Sequence, residues 1–136
     1  MSTTIGAVNT TINNQIATIT FEHPAHNSLP AKLLQQLQDV ITHAGEDDSV
    51  RVVVLQSGGD RTFCAGASFD ELQAIDDFVQ GKRFFMGFAN VINAIRKCPK
   101  FVIGRVQGKA VGGGGGLAAA TDYCLATQYA SVKLSE

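Results

Sequence analysis

The 136-residue chain, at 14.4 kDa, suits one ordinary domain with its own core, and its 45% hydrophobic, 17% charged composition lies far from that of disordered chains. Eleven basic against twelve acidic residues leave a net charge of −1, which excludes a surface built chiefly to grip nucleic acid or an anionic membrane. No apolar run approaches the ~20 residues that cross a bilayer, and Met1-Ser2-Thr3-Thr4 lacks the charged and apolar regions of a signal peptide. A soluble, cytoplasmic protein is expected.

In chain order, Ile5 to Ile12 and Gln15 to Glu22 carry alternating β-branched and aromatic residues. Asn13-Asn14 between them has turn chemistry, so the opening reads as a β-hairpin. Pro24 to Pro30 is a loop, after which Leu33, Leu34, Leu37, Val40, Ile41 and Ala44 share one face of a helix over 31–45. Val50 to Leu55 is a short apolar run that predicts a strand buried on both faces. Phe84, Phe85, Phe88, Val91, Ile92 and Ile95 predict a second amphipathic helix, weakened at its start by Gly81 and Gly87 and ended before Pro99. Phe101 to Ile103 begins another strand, Leu117 to Ala120 reads as a short helix, and Tyr123 to Ala126 and Ser131 to Leu134 as two last strands. Strands alternating with helices imply an α/β domain packed in layers.

Three cysteines, Cys64, Cys98 and Cys124, cannot all pair within the chain and match no metal or redox spacing, so they read as small buried hydrophobes in a reducing compartment. His23, His26 and His43 lack metal-ligand spacing and no Gly-x-Ser-x-Gly surrounds a serine, so no metal site is expected. Asp47, Asp48, Asp76 and Asp77 read as solvated surface. Two segments stand apart: Phe63-Cys64-Ala65-Gly66-Ala67-Ser68-Phe69-Asp70-Glu71, and Gly112 to Gly116 leading into a helix. Small residues let a ligand approach backbone N–H groups, and a helix start offers unpaired donors, so two such loops at one point would form an oxyanion hole. Each has a plainer reading, as a tight turn or close packing for the glycines and as a helix capping box for Ser68-x-x-Glu71. No Gly-Lys-Ser/Thr follows the glycines, and the loose match of Gly113-x-Gly115-x-x-Ala118 to a dinucleotide fingerprint is nearly automatic in such a run.

Val52 to Leu55, Phe63 to Ala67, Pro99 to Ile103 and Val106-Gln107-Gly108-Lys109-Ala110-Val111-Gly112-Gly113-Gly114 together resemble the enoyl-CoA hydratase/isomerase (crotonase) superfamily along the whole chain. The resemblance implies one crotonase-like, acyl-CoA-binding core over 1–136, a spiral of repeated ββα units without the family's C-terminal helical region. It implies an acyl-CoA thioester as substrate, no cofactor beyond the CoA it carries, and a homotrimer or hexamer for a full-length member. The first carbonyl donor would be the N–H of Ala67 and the second that of Gly113, with Gly112 or Gly114 open because the run hides its register. Glu136 matches the family's second catalytic glutamate, whereas the first falls on Gly116, which has no acid and favours isomerisation over hydration. Ser68 stands where an Asp is common, and the loop through His26 and Asn27 resembles the CoA-contacting segment; Ala65, Gly66, Gly112, Gly114 and Gly116 complete the expected substrate contacts. A non-catalytic acyl-CoA-binding relative and an interaction subunit are the alternatives. Phe84, Phe85, Phe88 and Ile92 are expected to be under-buried if absent chain normally covers them.

Overall fold

The computed structural model describes residues 6–135. Strands β1 (Ala7–Asn13) and β2 (Ile16–Glu22) form the hairpin, pairing antiparallel with Asn13 opposite Ile16. Its turn is Asn14-Gln15, one residue later than the sequence pattern put it, and both residues have positive φ (52° and 67°), as the two-residue turn matching strand twist requires. The part of the predicted strand at Ile5 lies outside the described residues.

Helix α1 (Ala31–Glu46) buries Leu33, Leu34, Leu37, Ile41 and Ala44, the predicted face. Strand β3 (Val52–Ser57) starts two residues late because Val50 belongs to the preceding turn, where its N–H bonds the Asp47 carbonyl at 3.0 Å. Ser49 donates to Asp47 from both its hydroxyl and its N–H, which holds that carboxyl below its usual range. Contrary to expectation β3 is buried on one face only: Val53, Leu55 and Ser57 are buried, Val52, Val54 and Gln56 half-buried. Helix α2 (Phe69–Gln73) follows the capping serine Ser68, whose Oγ accepts the Glu71 N–H at 3.3 Å. The Glu71 carboxylate does not close that box. It accepts the Ala31 N–H at 2.9 Å and so caps α1, whose N-cap residue is Pro30.

Helix α3 (Phe78–Lys97) begins six residues before the predicted face, because Asp77 caps it by accepting the Gln80 N–H at 2.8 Å. Asp77 is exposed, as its reading as solvated surface expects, and it has the capping role besides. The helix continues through Gly87, which lets α1 approach, since a Cβ there would lie 2.8 Å from Leu34 Cδ1. Strands β4 (Phe101–Val106) and β5 (Lys109–Val111) precede α4 (Gly113–Ala120), and β6 (Tyr123–Ala126) and β7 (Ser131–Lys133) close the described chain. The glycine run thus supplies the first turn of α4 rather than a loop before it. β5, only three residues between two glycines, had no readable pattern.

The large sheet has the order β1-β2-β3-β4-β6, parallel from β2 onward, and β5 pairs parallel with β7 in a second sheet. Parallel bridges Leu29–Ala67 and Cys64–Ala110 extend that second layer. Each turn of the chain therefore adds a strand to the large sheet, a short extended piece to the small one, and then a helix. One apolar cluster, including Phe21, Leu37, Leu55, Phe63, Val91 and Leu117, fills the space between α1, α3, α4 and the buried sheet face. Phe85 is 68% exposed and Phe84, Phe88 and Ile92 half-buried, less than their shared helical face alone predicts. No helix among the described residues is long and apolar enough to cross a membrane.

Candidate active site

The stretch after β3 reaches the small sheet, where the N–H groups of Phe63 and Cys64 both donate to the Lys109 carbonyl (2.9 and 3.1 Å) and Val111 N–H donates to Cys64 O (2.9 Å). Gly66 then turns the chain with φ +100°, a conformation that disfavours any side chain, and a Cβ on it would lie 3.0 Å from the Val111 carbonyl oxygen. The Gly66 carbonyl accepts the Leu29 N–H at 2.8 Å. Because C=O and N–H point in opposite directions across a trans peptide, this bond aims the Ala67 N–H away from Leu29. No acceptor takes that N–H among the described residues.

The second loop uses the same device. Gly112 (φ +55°) caps α4, and its carbonyl accepts the N–H groups of Gly115 and Gly116 at 3.0 and 3.4 Å. The peptide that binds inward through that oxygen directs the Gly113 N–H outward from the helix start. Gly112 N–H is itself held by the Lys133 carbonyl at 2.9 Å, so it is not an available donor. Gly113 and Gly114 N–H meet no acceptor among the described residues, but Gly114 is buried with its Cα face 2.5 Å, by an ideal Cβ, from Cys64 O. Of the three glycines left open by the sequence, Gly113 is both unpaired and half-exposed.

The loops adjoin. A Cβ on Gly66 would lie 3.9 Å from Gly113 N, which with standard bond lengths keeps the Ala67 and Gly113 nitrogens within about 8 Å of each other. A cleft of about 640 Å³, a volume in the range of small-molecule sites, reaches the two loops through Ala65 and Val111 and is lined also by His26, Arg61, Lys109 and Tyr129; neither Ala67 nor Gly113 lines it. Cys64 is buried against Gly114; its sulfur accepts the Gly66 N–H at 3.4 Å, and burial pushes its thiol up to about 12. It therefore stays a neutral thiol, not a nucleophile, near pH 7.

Not every expected residue converges. Gly66, next to Ala67, lies against Val111 and Gly113, and Gly114 lies against Cys64, with Gly112 between Val111 and Gly113 in the chain; of the expected residues only Ala65 and His26 line the cleft. Asn27 is 7% exposed, and its side chain is occupied within the protein: Nδ2 donates to Gly58 O (2.9 Å) and Thr62 O (2.8 Å), and Oδ1 accepts the His23 N–H (3.0 Å). Ligand contact from Asn27 is thereby left to its main chain. Gly116 faces α3, where a Cβ would meet Ile92 Cδ1 at 3.0 Å, and it borders a different cleft of about 540 Å³. Glu136 lies outside the described residues, although Lys133, three positions earlier, is fastened to Gly112. Sequence reasoning missed Arg61, Lys109 and Tyr129 at the cleft, and Phe88, which packs on the Gly113 Cα; the basic pair immediately upstream of each small-residue loop was the available signal. Among the described residues no three His, Cys, Asp or Glu side chains gather closely enough to hold a metal ion.

A family model described as enoyl-CoA hydratase/isomerase matches residues 11–136. The chain belongs to that family. It is 33% identical over 127 residues to the (7aS)-7a-methyl-1,5-dioxo-2,3,5,6,7,7a-hexahydro-1H-indene-carboxyl-CoA hydrolase of Mycobacterium tuberculosis, covering 93% of this chain and 51% of that protein. It is 30% identical over 117 residues to a short-chain-enoyl-CoA hydratase of Clostridium acetobutylicum, covering 85% of this chain and 44% of the relative. The crystal structure of an enoyl-CoA hydratase of Mycobacterium smegmatis superposes with a TM-score of 0.86 at 32% identity, over 92% of this chain and 49% of that one. The fold is the crotonase fold, and the chain spans about half the length of the curated relatives it matches.

Proposed function

We propose that this family member acts on an acyl-CoA thioester, holding the thioester carbonyl oxygen between the Ala67 and Gly113 N–H groups while Glu136 moves the proton. The observation that carries the reading is the pair of unaccepted N–H groups on adjoining loops, each aimed by a hydrogen bond to the carbonyl of its own peptide. As the α-proton leaves, negative charge builds on the carbonyl oxygen, and a pre-aimed donor gains strength without reorganising; removing one donor raises such a barrier by ~3–4 kcal/mol. With glycine at 116, one acid would abstract a proton from one carbon and return it two carbons along, which favours isomerisation of an enoyl-CoA over addition of water. The chemistry needs no cofactor beyond the CoA of the substrate. The three free cysteines suit a reducing cytoplasm, and assembly as a trimer or hexamer belongs to the same reading.

Assay of the purified protein and its Glu136→Gln variant with 2-enoyl- and 3-enoyl-CoA isomers tests it. Loss of about 10²–10⁴-fold in isomerisation, with acetoacetyl-CoA still binding by calorimetry, is expected. Equal turnover by the variant removes Glu136 from the mechanism. Tight binding without turnover in the parent makes the chain an acyl-CoA-binding relative, and no binding leaves only an interaction role.

A further inference from the structure

We infer that Gln107 is a positioning residue, whose buried amide ties the loop leading to Ala67 to the segment leading to Gly113 and so fixes the spacing of the two donors. The inference rests on the oxyanion reading above. Gln107 directly follows β4 and is 7% exposed. Its Nε2 donates to Ser57 Oγ at 2.9 Å, with longer contacts to Thr62 O at 3.3 Å and Gly59 O at 3.4 Å. The Thr62 carbonyl also takes Asn27 Nδ2, so buried amides from two distant segments hold one loop. Phe63, next to Thr62, starts the stretch that carries Ala67; Lys109, two residues past Gln107, receives the Phe63 and Cys64 N–H groups and begins the run to Gly113. Gln107 itself is anchored, its carbonyl accepting Thr127 Oγ1 at 2.9 Å.

Its Oε1, in contrast, is a buried polar atom with no partner among the described residues. An orphaned acceptor destabilises, and an apolar side chain of equal size would avoid it. What an apolar residue cannot supply is the donor half of the amide. Glutamate has the shape but no N–H, and asparagine is one methylene short of the reach. The donating end of Gln107 therefore explains why an amide stands there.

The test compares the purified protein with Gln107→Met, Gln107→Glu and the milder Ser57→Ala, which removes the nearest acceptor and leaves Gln107 in place. Two readouts are independent: amide resonances of Ala67 and Gly113 in the free protein, and the red shift of bound 4-(dimethylamino)cinnamoyl-CoA, a chromophore whose carbonyl is polarised by the two donors. Gln107→Met is expected to move both resonances, to reduce the red shift by about half or more, and to lower kcat about 10–100-fold while KM changes less than about threefold. Gln107→Glu should not rescue, and Ser57→Ala should shift both readouts in the same direction by less. Folded variants whose resonances and red shift equal the parent's overturn the inference; if the Gln107 variants fail to fold, Ser57→Ala decides by the same measurements. A parent protein that binds the chromophore without any red shift defeats the oxyanion reading instead, and the resonances then judge the clamp alone.

Discussion

Replacing Gly113 by alanine asks whether the donor on α4 depends on close packing with α3. An ideal Cβ at 113 lies 2.5 Å from Phe88 Cδ1 and 2.7 Å from Cγ and Cε1, against 3.4 Å for the start of ordinary contact. The two groups must part by about 0.9 Å, either by a swing of the half-buried ring or by retreat of the Gly113 backbone. A displacement near 1 Å at a reacting centre lowers the rate about 10²-fold, and complete loss of one donor 10²–10³-fold. Stability should fall by no more than about 2 kcal/mol, because overpacking of ~1–3 kcal/mol is partly offset by the ~1 kcal/mol that Ala favours helix over Gly. The expected signature is a folded variant with kcat down about 100-fold and KM near the parent's. Adding Phe88→Ala clears the overlap and should restore most of the rate. Steady-state kinetics with an enoyl-CoA isomer, beside a denaturant titration, reads both quantities. A folded single variant with parental turnover would falsify the placement of the donor, and a double variant no faster than the single one would remove Phe88 from the cause.

Glu71→Ala should lower unfolding free energy by about 1 kcal/mol through loss of the α1 cap, whereas Glu71→Gln, which keeps an acceptor oxygen, should lose less; urea titration separates them. Cys64 titrates at about 12 when folded against 9.0 ordinarily, so the unfolded chain releases its proton first as pH rises. Its contribution is complete below pH 9 and is lost from 9 to 12, at up to about 1.4 kcal/mol per pH unit, and Cys64→Ala should flatten that part of the alkaline stability profile.

Elements that bury one periodic face were legible before any coordinates: α1 and the apolar face of α3 follow from spacing alone, and β3 was legible as a strand though not in its one-sided burial. What escaped was set by long-range hydrogen bonds. The reach of Glu71 to Ala31 crosses between two helices, and the burial of Asn27 depends on carbonyls at 58 and 62. Neither leaves a trace in local pattern. Within the glycine run the choice of Gly113 came from resemblance, because identical residues carry no register; the bond from Gly112 to Lys133 and the burial of Gly114 against Cys64 distinguish the neighbours physically. Asp77, by contrast, was readable as an N-cap and was obscured by its acidic neighbour.

The opening turn of α4 is made of four glycines in succession, the residue type that resists helix more than any other except proline, by about 1 kcal/mol each relative to alanine. Such a turn has little tendency to persist alone and is held in shape by Cys64, Phe88, Ile92 and Val132 pressing on it from outside. Under the proposed function, turnover is then a gauge of tertiary order in this region: on gentle heating it should fade while the longer helices still give their circular dichroism.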